Sequence, residues 1–246
     1  MKLFDSDLDE ERDFVKHIIY TLYSKLIPRR KMMRKSFTDF FYQLIHENNK
    51  FNGISELLDI MVSIISGYEI PLREHINFFK NILIPLHKLE RPHLYFDNLS
   101  RCSLLFLTKD KALCIPLLDG ILKYWPFSNS LKETLFLKEL PEKLNFCDVE
   151  KVNPLVNKLF DIVIKCISGN DLQVADLALC LFENDYFISI IMHYKTIVFN
   201  ILVPSVNNLA ANHWNIILKE SLNALKEILQ QIDQNAYSVA LENSNQ

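Results

Sequence analysis

The sequence predicts an all-α protein built as a HEAT/armadillo-like helical-repeat solenoid. Apolar residues recur every three or four positions along most of the chain, as in the segment 54–65, where six of them form one broad stripe. No alternating run long enough for a strand is present. Breaks in the pattern fall about every 20 residues, so paired helices would give units of about 40 residues, the period of HEAT and armadillo arrays. A compact helical bundle remains the alternative, because similarity between the units is weak.

The expected helices follow from their start and stop signals. Ser6 and Asp9 suit a capping box at the start of the first helix. Later helices are predicted in the periodic segments 78–89, 155–167, 174–182 and 216–229. The breaks between helices are expected at Pro28, Asn52–Gly53, Pro71, Pro92, Lys109–Asp110, Pro126, Pro141, Gly169–Asn170, Asn184–Asp185 and Asn212. Periodicity fades after Gln234, which predicts one repeat domain over residues 1–234 and a flexible tail over residues 235–246.

The segment 121–140, ILKYWPFSNSLKETLFLKEL, predicts a joint between two helices. Trp125 would anchor the end of the first helix and Pro126 would stop it. Ser128 or Ser130 would then cap the second helix. Pro141 predicts that this second helix ends at Leu140. Farther along, Gly169–Asn170–Asp171 indicates the end of one helix followed by the N-cap of the next.

Composition excludes several classes of function. The net charge of −3 gives no reason to expect a nucleic-acid partner, and only four glycines argue against phosphate-binding loops. The uncharged run 196–218 contains Pro204 and five asparagines, so we interpret it as a helix of a globular protein rather than as a membrane span. The five cysteines form no C-x-x-C pair, which is typical of reduced, buried thiols in a cytoplasmic or nuclear protein.

No catalytic constellation is present in the sequence. The seven histidines never pair at the spacing of a helical metal clamp, and no serine lies in a G-x-S-x-G elbow. We therefore expect neither an enzyme nor a bound metal or cofactor. The most pronounced charge feature is RRKMMRK over residues 29–35. Either it is a solvated helix start whose methionines face inward, or it binds an acidic or phosphorylated peptide, because arginine grips carboxylates bidentately.

Six segments along the chain carry a family resemblance. They are LFDSDLDEERDFVK (3–16), NGISELLDIMVSIISGYEIPL (52–72), LIPLHKL (83–89), LKYWPFSNSLKETLFLKEL (122–140), QVADLALCLFENDYF (173–187) and NHWN (212–215). These segments resemble the B-prime regulatory subunits of protein phosphatase 2A. They occur in the family's order, and the resemblance covers about residues 3–230. It implies a curved array of HEAT-like helix pairs that is not an enzyme. Such a subunit joins a scaffold and a catalytic subunit and selects substrates in signal transduction, with neither nucleic acid nor membrane as partner.

The resemblance also implies a groove that binds motifs of the form Leu-x-x-Ile-x-Glu. The matching hydrophobic residues are Tyr23, Ile60 and Ile64, with Arg30 as the family arginine and Asp59 where glutamate is usual. Arg73 replaces a lysine and His75 matches a histidine, and these two would bind the motif's glutamate. Tyr20 and Thr21 stand where the family has His-Arg, which predicts weak motif binding with little gain from phosphorylation. The physical logic agrees, since an apolar slot lies beside a cation.

The corner after Trp125 would face the phosphatase core. The residues expected there are Trp125, Lys132, Glu133, Lys138 and Glu139. Lys138, Pro141 and Lys143 stand where the family is more acidic, so the charge expected at this contact differs from the family's. The chain begins inside the family's array, which implies that N-terminal helix pairs are missing. The alternative function is a stand-alone peptide-binding adaptor that has lost assembly with the phosphatase.

Overall fold

The computed structural model of the chain describes residues 2–47, 51–67, 69–213 and 215–244. Within these ranges every regular element is helical, and no strand is present. The chain divides into two compact units, Met1–Tyr124 and Trp125–Gln246. The predicted all-α class is confirmed.

The first unit contains helices α1 to α7. Their bounds are Asp9–Lys25 (α1), Arg30–Glu47 (α2), Ile54–Ser66 (α3), Arg73–Phe78 (α4), Ile84–Leu86 (α5), Phe96–Lys109 (α6) and Cys114–Lys123 (α7). A π-helical turn, Phe79–Leu83, joins α4 to α5, and 3₁₀ turns cover Lys2–Asp5, Ile27–Arg29, Pro92–Leu94 and Lys111–Leu113. Helix α3 packs on α6 and on α1, so the apolar stripe predicted in segment 54–65 forms the centre of the unit.

The second unit contains helices α8 to α14. Their bounds are Ser130–Leu144 (α8), Val156–Ile167 (α9), Leu172–Cys180 (α10), Asp185–His193 (α11), Lys195–Asn212 (α12), Ile216–Ile232 (α13) and Gln234–Ser244 (α14). The 3₁₀ segments are Val149–Leu155 and Leu181–Glu183. Helix α12 packs against α9, α13 and α14, and α10 packs against α8 and α9.

Polar side chains start several helices of the second unit, and the sequence predicts the first of these caps. Asp171 caps α10 by accepting a hydrogen bond from the Val174 amide at 3.1 Å. Asn184 caps α11 in the same way through the Phe187 amide at 3.0 Å. At α8 the cap is Asn129, which accepts from the Lys132 amide at 3.1 Å, rather than either neighbouring serine. The joint was therefore predicted correctly and its capping residue was not.

Three further sequence predictions, on a helix start, a helix end and the tail, differ from the structure. Helix α1 starts after Leu8 rather than at Ser6, whose hydroxyl donates to the carboxylate of Glu11. Helix α8 continues through Pro141 to Leu144, because Leu140 and Leu144 are buried and their packing compensates for the lost backbone hydrogen bond. Residues 234–244 form α14 instead of the flexible tail that the sequence predicts, and Tyr237 and Ala240 of this helix are buried. Residues 245–246 lie outside the described part.

Within the described residues, no single helix is both long and apolar enough to cross a membrane. Helices α11 and α12 reach that length and composition only as a pair, and the pair is bent by 109°.

Candidate functional site

Five of the residues predicted for the motif groove meet in one pocket of the first unit. This central pocket has a volume of about 330 Å³. It is lined by Tyr20, Tyr23, Ser24, Arg30, Arg34, Ile60, Ser63, Ile64 and Gly67. Helices α1, α2 and α3 each contribute side chains to it.

Helical spacing explains why the apolar residues converge. Tyr20 and Tyr23 are three positions apart on α1, and Ile60 and Ile64 are four apart on α3, so each pair lies on one helix face. The isoleucines are buried and form the floor, whereas the Tyr20 side chain is 51% exposed and forms a wall. The result is an apolar slot open to solvent.

Arg30 is fixed at the end of α1 beside this slot. Its Nε donates to the Tyr23 carbonyl at 2.9 Å, and one terminal nitrogen donates to the Ser24 carbonyl at 3.0 Å. The guanidinium carbon also lies 5.2 Å from the centre of the Tyr23 ring. Carbonyls in the last turn of a helix lack intrahelical donors, so the arginine both completes α1 and brings a positive charge to the pocket.

Arg34 is a second cation of the central pocket that was not predicted as a groove residue. It lies one helical turn after Arg30. One terminal nitrogen donates to the Tyr23 hydroxyl at 3.1 Å, and the other donates to the Glu74 carboxylate at 3.0 Å. The RRKMMRK run contained the signal, because residues 30 and 34 share a helix face. Met32 of this run is exposed and Met33 half-buried, so the methionines do not both face inward.

Asp59 lies in a smaller neighbouring pocket of about 200 Å³. This pocket shares Tyr20, Ile60 and Ser63 with the central pocket. The Asp59 carboxylate lies 3.2 Å from Nζ of Lys16. The ion pair offsets the negative charge of Asp59 next to the groove.

His75 lies in a third and larger space, here named the α2–α4 cleft, of about 700 Å³. The side chain is buried, and its Nδ1 accepts a hydrogen bond from the Leu72 amide at 3.1 Å. Nε2 therefore carries the proton of the neutral ring, 3.4 Å from the Glu74 carboxylate. Burial lowers the pKa of His75, so at neutral pH it offers an N–H group and not the cation expected from the sequence.

Thr21 and Arg73 lie outside these three spaces. Both side chains are exposed, Thr21 near the end of α1 and Arg73 at the first residue of α4. Arg73 precedes His75 by two positions in α4. The structure thus brings together seven of the nine predicted groove residues in three adjoining spaces and leaves these two on the surface.

The residues predicted to face the phosphatase core are mostly buried. Trp125, Lys132, Glu133 and Glu139 have buried side chains, and Lys138 alone of the five is exposed. Trp125 Nε1 donates to the Glu133 carboxylate at 3.2 Å, and Nζ of Lys132 lies 5.5 Å from the centre of the Phe136 ring. Four of the five side chains therefore stabilise the second unit and present little surface to a partner.

Burial also changes the acid–base properties of this corner. It raises the pKa of Glu133, although the hydrogen bond from Trp125 acts in the opposite direction. Cys166 Sγ lies 3.9 Å from the same carboxylate, and burial raises the pKa of that thiol to about 12. A thiol held in this state is a poor nucleophile. Within the described residues, no cluster of His, Cys, Asp and Glu could hold a metal ion.

Comparison with known proteins identifies the family. The sequence matches, over residues 1–246, the profile described as protein phosphatase 2A regulatory B subunit, B56 family. The chain belongs to the B56 family. The resemblance noted from short segments is therefore confirmed across the whole chain.

Individual B56 relatives cover nearly all of the chain. The 56 kDa regulatory subunit delta 2 isoform of Schizosaccharomyces pombe is 36% identical over 247 residues, 100% of this chain and 39% of the relative. The human 56 kDa delta isoform is 37% identical over 232 residues, 94% of this chain and 38% of the relative. The B' kappa isoform of Oryza sativa is 34% identical over 242 residues, 98% of this chain and 48% of the relative.

These names describe regulatory and not catalytic subunits of protein phosphatase 2A. The chain spans about two fifths to one half of the length of the relatives it matches.

Proposed function

We propose that this chain is a noncatalytic regulatory subunit of protein phosphatase 2A that recruits substrates through a short linear motif bound at the central pocket. The observation that carries the proposal is the convergence of Tyr23, Arg30, Ile60 and Ile64 in one open pocket. An apolar floor beside a fixed cation suits a motif that alternates aliphatic and acidic residues.

The pocket chemistry favours a Leu-x-x-Ile-x-Glu type of motif. An aliphatic side chain of the peptide would cover Ile60 and Ile64, a contact that contributes about 1.5–3 kcal/mol when burial is complete. The motif's carboxylate would lie toward Arg34 and Arg73, and the neutral His75 would donate an N–H group. Charge-assisted hydrogen bonds of this kind orient the peptide as well as stabilise it.

Thr21 sets the expected response to phosphorylation. The family resemblance implies an arginine at this position, and a threonine hydroxyl supplies neither the charge nor the bidentate geometry that a phosphate prefers. We propose weak motif binding with little gain from phosphorylation. The partners would be the scaffold and catalytic subunits, in the cytoplasm or nucleus, and Lys138 would be the exposed charge at their contact.

Calorimetry on the full chain tests the motif proposal. Paired Leu-x-x-Ile-x-Glu peptides, phosphorylated and unmodified, should bind with affinities that differ only a few fold, because no arginine stands at position 21. The Ile64→Ala variant should weaken both peptides about tenfold, the effect of roughly 1.4 kcal/mol of lost apolar contact. The matched control is Ile228→Ala on α13, which lies outside the pocket. A tenfold preference for the phosphopeptide, or equal loss in both variants, would contradict the proposal.

The stand-alone adaptor is the second candidate function. The burial of Trp125, Lys132, Glu133 and Glu139 favours it, since few of the expected contact side chains remain available to a phosphatase core. An adaptor would bind motif peptides without retaining the phosphatase subunits.

A further inference from the structure

We propose that the α2–α4 cleft binds the peptide segment that follows the motif's glutamate, and that it accepts a bulky apolar side chain flanked by acidic residues. This inference rests on the proposed function of the central pocket and adds a second anchoring site to it.

The cleft has the size and the apolar surface for such a side chain. Its volume of about 700 Å³ lies in the range of ligand sites and exceeds that of the central pocket. Met61, Ile65 and Phe106 form a buried floor. Met32 and Tyr42 form walls with 58% and 52% of their surfaces exposed. An inserted aromatic group would cover these exposed walls, and the removal of their apolar surface from water would favour binding.

The charge at one edge of the cleft indicates what should flank that group. Lys31, Arg34 and Lys35 lie on the same edge of α2 at spacings of four residues or fewer, and all three line the cleft. Glu74 is the one acid in the cleft lining, and its carboxylate is bound by Arg34. The edge keeps an excess of positive charge on a chain whose net charge is −3, so it favours acidic residues next to the apolar anchor.

The cleft adjoins the central pocket through Arg34. The guanidinium of this residue donates to Tyr23 in the central pocket and to Glu74 in the cleft. His75, expected near the motif's glutamate, also lines the cleft. A peptide that leaves the central pocket at its glutamate therefore enters the cleft with the residues that come next.

The wall formed by α4 and the π-helical turn suits a peptide more than a purely apolar ligand. Asn77 and Asn81 line this wall, and Asn81 and Ile82 belong to the π-helical turn. Asparagine amides donate to carbonyls and accept from amides, which is what the backbone of an extended peptide requires. Turns of the π type also recur at functional sites.

Titration of the full chain with three synthetic peptides tests the inference. The first is a core Leu-x-x-Ile-x-Glu peptide, the second adds a C-terminal extension with one tryptophan and two glutamates, and the third replaces that tryptophan by alanine. The second peptide should bind about tenfold more tightly than the core peptide. Burial of its tryptophan favours binding, and the entropic cost of ordering the extension offsets part of that gain. The third peptide, which has alanine in place of tryptophan, should bind only about twofold more tightly than the core peptide, because it keeps the electrostatic contribution of the two glutamates alone.

Two variants connect the gain to the cleft. Tyr42→Ala removes an exposed wall and should remove most of the tenfold gain. Lys35→Glu reverses one charge at the edge and should remove the electrostatic part of the gain, about twofold. Neither variant should change the affinity of the core peptide. The matched control, Lys25→Glu, makes the same charge change at an exposed position outside the cleft and should keep the gain.

The failures of the two proposals are distinguishable. If the core peptide binds but the extension adds nothing, or if Tyr42→Ala keeps the gain, the cleft inference is wrong and the central pocket stands. If the core peptide does not bind at all, the proposed function is wrong and the cleft inference falls with it.

Discussion

Glu133 illustrates how burial sets the behaviour of a single residue in this protein. Its carboxylate accepts from Trp125 Nε1 inside the second unit, and its pKa lies above the ordinary value because burial disfavours the ionised form. The unfolded chain holds this carboxyl at its ordinary pKa, so the folded state binds the proton more tightly. The resulting stability is present at low pH and is lost as the pH rises through the raised pKa.

The variant Glu133→Gln should therefore be more stable than the wild type at about pH 7 and nearly equal to it at about pH 4. The glutamine oxygen still accepts the Trp125 hydrogen bond, and the amide never ionises. Urea unfolding followed by circular dichroism at the two pH values measures the difference. Glu150→Gln, the same replacement at an exposed position, is the matched control. A stabilisation that is the same at both pH values would contradict a protonation origin.

At the scale of helices, Gly120 is the position where α7 packs closely against α5. A Cβ atom at this position of α7 would lie 2.1 Å from Cγ2 of Ile84 in α5. The β-branched isoleucine cannot swing away easily, because its χ1 angle is restricted. The glycine therefore permits the approach of the two helices.

Gly120→Ala should lower the free energy of unfolding by about 1–3 kcal/mol through overpacking. In the double variant with Ile84→Ala the clash is absent, so the two effects should be strongly non-additive. Gly67→Ala is the matched control, since the nearest atom to its Cβ is 3.4 Å away, and it should be nearly neutral. Additive losses in the double-mutant cycle, measured by urea unfolding, would show that the clash is not the cause.

Helix α14 tests whether the end of the chain is structural. Tyr237 is buried, and its hydroxyl accepts a hydrogen bond from Asn207 of α12 at 2.7 Å. Tyr237→Phe should lower the free energy of unfolding by about 1 kcal/mol, and Tyr237→Ala by about 3 kcal/mol, because the second change also opens a cavity. Chemical denaturation measures both. The exposed Ser238→Ala serves as control, and a flexible tail would give no loss in any of the three.

Local chemistry predicted the elements whose ends depend on local signals. The cap at Asp171 follows from the Gly-Asn-Asp pattern, and the break at Asn184–Asp185 follows from its residue types. The family resemblance implied the groove residues, and helical spacing explains why Ile60 and Ile64 share one face. Tertiary packing decided the remainder. Pro141 stays helical because its neighbours are buried, and α14 forms because α12 covers Tyr237. The bridging position of Arg34 depends on Tyr23 and Glu74, which lie 11 and 40 positions away. The tautomer of His75 depends on the Leu72 amide, and its neutral state depends on burial. No sequence period reveals these effects.

At the scale of the whole molecule, the proposed function combines two activities, motif binding and assembly with the phosphatase. The central pocket lies within the first unit, and Lys138 is the exposed one among the five residues predicted to contact the phosphatase core. Motif binding and assembly should therefore respond to different substitutions. A regulatory subunit would show both activities, whereas an adaptor would bind motif peptides without retaining the phosphatase subunits.

Affinity purification of the tagged chain measures both activities together. For a regulatory subunit, we expect scaffold and catalytic subunits to co-purify with phosphatase activity, while the isolated chain shows no turnover. Ile64→Ala should keep the phosphatase and lose motif peptides. Lys138→Glu should keep the peptides and raise the recovered phosphatase activity several fold, because it restores the acidic character that the family resemblance implies at this contact. Lys158→Glu, a half-buried lysine of α9, is a charge-matched control. Peptide binding without any recovered phosphatase would instead establish the adaptor. The chain would then bind motif peptides without the phosphatase 2A that the names of its B56 relatives describe.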